Sequence, residues 1–150
     1  MILQAVSVVV FALFAVSLCL SDLKDQLLPD RITIPMIVTG LMVNIWHAFT
    51  TPGNALLGAV CGYALVWSVE WLYRAISGKQ GIGLGDAKLL AALGAFFGLS
   101  MLPYILLIGS LSALVCMLAK RIYLHDKSAI AFGPFLLLGG ICAYALGVAL

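Results

Sequence analysis

The sequence predicts an all-α membrane protein: a polytopic bundle of about six helices, one of them short and preceded by a glycine-rich loop. Three observations carry that prediction. First, 64% of the 150 residues are apolar and only 14 carry a formal charge, eight Lys/Arg and six Asp/Glu. Soluble domains average roughly 45–50% apolar and about 25% charged residues, so this chain lacks the polar groups to coat a water-soluble globule, and its mean hydropathy is +1.18. Second, the apolar residues fall into six runs of helical length. Third, all eight positive charges fall in or beside alternate links between those runs, and so on one side, which a wrong helix count would not produce.

The six predicted spans are 2–20, 32–49, 55–76, 86–98, 102–122 and 132–150, in one domain covering 1–150. The first is long for the apolar part of a signal peptide, has no Lys or Arg before it and no A-x-A site after it, so it reads as a retained helix. The bulky Leu18 also argues against lipoprotein cleavage before Cys19. The second span follows Pro29-Asp30-Arg31. The third ends in Trp67-Ser68-Val69-Glu70-Trp71, whose two tryptophans suit a membrane interface and place Glu70 at headgroup level. The fourth is short and opens on Asp86, after Gly81-Ile82-Gly83-Leu84-Gly85. Lys120 and Arg121 at the end of the fifth, with Lys127, mark the link to the sixth. With Lys24 and Arg31 after span one, and Arg74, Lys79 and Lys88 around the link from three to four, every positive charge lies on one side. The positive-inside rule makes that side cytoplasmic and puts both termini outside. Gly58 with Gly62, Gly94 with Gly98, and Gly139 with Ala143 and Gly147 recur at four-residue spacing, which lets helix backbones approach closely in lipid.

Composition also excludes function classes. A net charge of +2 gives no footprint for nucleic acid. Cys19, Cys61, Cys116 and Cys142 lie far apart in apolar runs with no CxxC pair, which argues against a zinc site or a disulfide framework. No metal and no cofactor is expected, and the residues set no oligomeric state.

The six acids carry the remaining information. Asp126, within His125-Asp126-Lys127, reads as solvated. Asp30 reads as a helix cap or loop residue. Asp25 reads as paired with a neighbouring lysine or solvated, and Glu70 as the i,i+4 partner of Arg74. Asp22 and Asp86 differ. Asp22 directly continues the first apolar run, and Asp86 stands where a loop with three glycines in five residues, able to adopt φ > 0, enters a membrane helix. The helix dipole alone would favour an acid there, but ionisable groups at membrane depth are expensive and usually functional. Two carboxylates on different helices cannot both ionise easily when close, so they share a proton. The ionised one can then activate water while its protonated partner polarises a carbonyl, the logic of an aspartic peptidase. His47, predicted on the far side, and Ser21, Ser128 and His125 offer no placed nucleophile and base.

These residues resemble a known family. Gly83-Leu84-Gly85-Asp86 matches the GxGD signature of membrane aspartic peptidases. Asp22-x7-Asp30 with Leu27-Leu28-Pro29-Asp30, then Ile32-Thr33-Ile34-Pro35 and Gly40-Leu41-x2-Asn44, is similar to the first motif of bacterial type IV prepilin peptidases. The segment from Gly85 to Ala95 resembles their second motif and Ala131-Phe132-Gly133-Pro134-Phe135-Leu136 their late FGP segment. The resemblance implies removal of the leader of type IV prepilins or type II secretion pseudopilins, after a glycine, at the cytoplasmic face of the bacterial inner membrane. It maps the catalytic pair onto Asp22 and Asp86, with Gly83, Gly85, Lys88 and Asp25 as supporting or substrate-binding candidates. Many members begin with a region bearing two CxxC pairs, associated with methylation from S-adenosylmethionine. That region is missing from this sequence, so peptidase activity without methyltransferase activity is expected. Two alternatives use the same acids and glycines: a small proton- or ion-coupled transporter, and a non-catalytic membrane protein of pilus assembly.

Overall fold

The computed structural model describes residues 2–25, 29–78, 83–123 and 131–146. Its elements are α1 (Ile2–Asp25), α2 (Asp30–Ile45), α3 (Pro52–Ser77), α4 (Leu84–Phe97), a single 3₁₀ turn (Leu99–Met101), α5 (Leu102–Tyr123) and α6 (Gly133–Ala145), and no strand occurs among the described residues. Each predicted span coincides with one helix. Three of them, over Gln4–Asp22, Pro52–Ser77 and Leu99–Ile122, are long and apolar enough to cross a membrane. The helices α2, α4 and α6 are shorter, at 16, 14 and 13 residues.

The shortest stretch in the prediction, α4, is the centre of the bundle. Ala87 and every residue from 89 to 97 are buried, because a helix that is apolar all round has no face to give to solvent. It packs most extensively against α3 and α2, while α5 packs chiefly on α6 at the periphery. The α3–α4 approach is made by glycine. Gly58 and Gly94 face each other backbone to backbone, and a Cβ at Gly62 would stand 2.8 Å from the Leu90 carbonyl oxygen. Gly98, expected only as a packing residue, also has a positive φ of 86° and ends α4. The seam at Gly139 lies against α5, where a Cβ would be 2.5 Å from the Ile105 carbonyl oxygen.

At the far end from the acids, Asn44 closes the bundle. It is fully buried at the end of α2. Its Nδ2 donates to the carbonyls of Ala95 and Phe96, both at 2.8 Å, and its Oδ1 accepts from the N–H groups of Phe49 and Thr50, both at 3.0 Å. One amide thereby satisfies two carbonyls in the last turn of α4 and two donors of the α2–α3 link, groups that helix geometry leaves open. Closest to this network, Phe11 of α1 meets Phe96 and Phe97 edge-on, with centroids 5.2 and 5.1 Å apart.

Candidate active site

Asp22 belongs to helix α1 itself, which runs on to Asp25 rather than stopping where the apolar run stops at residue 20. Its face is set by spacing. Ser7, Phe11, Ala15, Leu18 and Asp22 recur at intervals of three and four residues, and all five are buried. Such a stripe lies on one side of a helix, so Asp22 ends a core-facing row, only 4% exposed. Asp86 is half-buried in the first turn of α4, and its own N–H bonds back to the Gly83 carbonyl at 3.1 Å.

The same geometry aligns the two acids. Phe11 and Phe97 touch across α1 and α4. Asp22 lies eleven residues after Phe11, and Asp86 eleven residues before Phe97. The two helices run in opposite directions, so both steps lead the same way, each about 16 Å along its helix. Eleven residues are also close to three whole turns, which returns each aspartate to the face its phenylalanine occupies. Level and facing, the carboxylates come within electrostatic reach of each other.

Gly133, the first residue of α6, completes the site. Its N–H donates to Asp22 Oδ2 at 2.9 Å. It also stands beside Leu89, one turn beyond Asp86: a Cβ on Gly133 would be 2.5 Å from Asp22 Oδ2 and 3.5 Å from Leu89 Cδ2. Thus α1, α4 and α6, from the first, fourth and last parts of the sequence, converge on one buried polar point. In the sequence Gly133 stands out only as part of the FGP segment, which does not by itself place it in the site. Glycine followed by proline at a helix start was the available signal.

The other candidates fall out differently. Gly83 is the N-cap of α4 with φ −68° and ψ 131°, an ordinary extended conformation that makes no use of a glycine's freedom to adopt φ > 0. Among the described residues, a Cβ on Gly83 would meet nothing nearer than the Gly85 nitrogen at 4.0 Å. Gly85 lies within the first turn of α4. Asp25 ends α1, and its side chain lies outside the described residues, as do Gly81 and Asp126. Glu70 is paired with Arg74 as expected, at 3.3 Å, and is only 3% exposed.

Asp30 departs from its expected capping role. Pro29 is the N-cap of α2, and Asp30, in the first turn, forms an ion pair with Lys88. Lys88 follows Asp86 by two residues and Asp30 follows Asp22 by eight, so the pair ties the start of α2 to α4. Being 57% exposed on the Asp30 side, it should contribute under about 1 kcal/mol. Lys88→Gln and Asp30→Asn should each lower the melting temperature slightly, and the double variant should be no worse than either single one. Additive losses in a double-mutant cycle would show that the two side chains act separately. No group of three or more His, Cys, Asp or Glu among the described residues could hold a metal ion.

Residues 9–118 match the family described as the type IV leader peptidase family. The chain is 40% identical over 135 residues to the prepilin leader peptidase/N-methyltransferase of Aeromonas hydrophila, covering 88% of this chain and 46% of that protein. It is 41% identical over 140 residues to the one from Dickeya chrysanthemi, covering 92% and 49%, and 40% identical over 141 residues to the one from Burkholderia pseudomallei strain 1026b, covering 91% and 46%. The chain therefore spans about half the length of the curated relatives it matches. No solved structure matches it.

Proposed function

Because the chain belongs to the type IV leader peptidase family, we propose that it is an aspartic endopeptidase that removes the leader of prepilins or pseudopilins, with Asp22 and Asp86 as its catalytic pair. The observation that carries this reading is that buried Asp22, held by Gly133 beside Leu89 of α4, lies within electrostatic reach of Asp86. One carboxylate, ionised, takes a proton from water as the water oxygen attacks the scissile carbonyl. The other, protonated, gives its proton to the carbonyl oxygen. The tetrahedral intermediate collapses as the C–N bond breaks: the proton taken from water passes to the leaving amine, and the proton lent to the carbonyl oxygen returns to its carboxylate as the C=O bond re-forms. Neither carboxylate is consumed.

The active site faces the cytoplasm of the bacterial inner membrane in this proposal, with both termini outside, in accord with all eight positive charges lying in or beside alternate links. A substrate whose apolar helix lies in the same bilayer would then present the leader junction at the level of Asp22. The partners are the prepilin substrate and the lipid bilayer.

The test is incubation of the purified full chain with a prepilin in lipid, followed by product mass. The expected product lacks the leader and begins after a glycine. An unchanged prepilin, or substrate-dependent proton flux without cleavage, would overturn the peptidase and favour a transporter.

A further inference from the structure

We propose that Gly133 is a positioning residue for Asp22: its backbone N–H holds one carboxylate oxygen, and its missing side chain leaves the space which that carboxylate occupies. The proposal rests on the catalytic reading of Asp22 and assigns the start of α6 a part in the reaction.

The argument begins with what the first turn of a helix lacks. The first N–H groups of a helix have no acceptor within it. In α6 the N-cap is Phe132, which makes no side-chain cap bond, and Pro134 brings no N–H. Phe135 and Leu136 both donate to the Phe132 carbonyl, at 3.1 and 3.2 Å. The Gly133 N–H is the group left over in that turn, and its acceptor is Asp22 Oδ2 at 2.9 Å, from a residue 111 positions away. A carboxylate tethered at one oxygen keeps the other for chemistry in a fixed direction, where a free one would rotate.

The absence of a side chain matters as much as the N–H. A Cβ on Gly133 would stand 2.5 Å from Asp22 Oδ2 and 3.1 Å from its Cγ. What it strikes is the tip of a side chain, which can turn away at little cost to the fold. The displaced group would nevertheless be the carboxylate on which the reaction depends. Gly139, six residues along the same helix, is the contrasting case. There a Cβ would stand 2.5 Å from the Ile105 carbonyl oxygen and 3.0 Å from the Gly109 nitrogen, and backbone on a packed helix cannot turn away. Gly139→Ala therefore attacks stability, whereas Gly133→Ala attacks placement.

Two measurements test this. In prepilin cleavage, Gly133→Ala should lower kcat on the order of a hundredfold, the size expected for a reacting group misplaced by about an ångström. KM should stay within about twofold, and the melting temperature should stay near that of the parent, while Gly139→Ala loses melting temperature. An unchanged kcat for Gly133→Ala, or a loss that merely follows its melting temperature, overturns the proposal. The second measurement needs no substrate. Amide hydrogen exchange at Gly133 should speed up on the order of tenfold or more in Asp22→Ala, which removes the acceptor, and an unchanged rate overturns the proposal. A parent chain that leaves prepilin uncut would refute the peptidase and still leave the Gly133–Asp22 bond to be judged by exchange.

Discussion

Asp22→Asn and Asp86→Asn are each expected to lower the rate of leader removal by at least about a thousandfold, the scale of losing one member of an acid–base pair that works as a unit. Asparagine keeps the shape of the side chain and, at Asp22, an oxygen to accept the Gly133 N–H, so the melting temperature should change little. The double variant should be no slower than the worse single one, because the second group has nothing left to act with. The same pairing predicts a bell-shaped pH–rate profile. At low pH both carboxylates are protonated and no base remains. At high pH both are ionised and no acid remains. The two limbs belong to the pair rather than to either residue, so either Asn variant should abolish the bell instead of moving one limb. Cleavage by purified Asp22→Asn or Asp86→Asn at near-parental rate would remove that residue from the pair. Asp25→Asn is the control, and a total loss there would move the assignment.

What the sequence makes legible here is local, and what it hides is the tertiary partner. Six apolar runs and the one-sided positive charge locate all six helices, because both depend only on composition along the chain. The shortness of the fourth run is legible too, but not its consequence: α4 is the central helix, since a run that is apolar on every face needs neighbours on every side. The end of α1 is missed because hydropathy falls at residue 20 while no glycine or proline interrupts the backbone until Pro29. The extra turn of helix is what aims Asp22 inward. The 11-residue steps from Phe11 to Asp22 and from Phe97 to Asp86 are in the sequence, yet they acquire meaning only once Phe11 and Phe97 are seen to touch. Asp30 and Lys88 are legible as charges near the site and not as a pair, since 58 residues separate them. Gly133 is hidden most fully, because its partner is an oxygen 111 residues away.

Gly94→Ala is expected to cost more stability than any other single methyl group added to the bundle core, about 2–3 kcal/mol, at the upper end of what overpacking usually costs. The reason lies in what the methyl group would meet. At Gly94 the nearest atoms are the carbonyl of Gly58 and the Ala59 nitrogen, all backbone of the facing helix; at Gly58 they are the carbonyl oxygen of Gly94, then Gly98 and the Leu99 nitrogen. No rotamer change relieves that contact, so α3 and α4 must separate. Apolar side chains gain little from leaving lipid, and association depends on close packing instead. A wider seam therefore forfeits attraction along its length, including at Gly62 against Leu90. Gly58→Ala should behave alike, and the double variant should cost clearly less than the two singles together, because the first methyl group has already opened the gap that the second would need. Additive losses would mean that the helices deform locally and do not part. The shift carries to the site as well: α4 bears Asp86, while Asp22 is held from α1 and α6, so a displaced α4 changes the spacing of the pair. Gly94→Ala should consequently lose kcat even at temperatures where it remains folded, and full activity in that folded state would show that the α3–α4 seam does not set the position of Asp86.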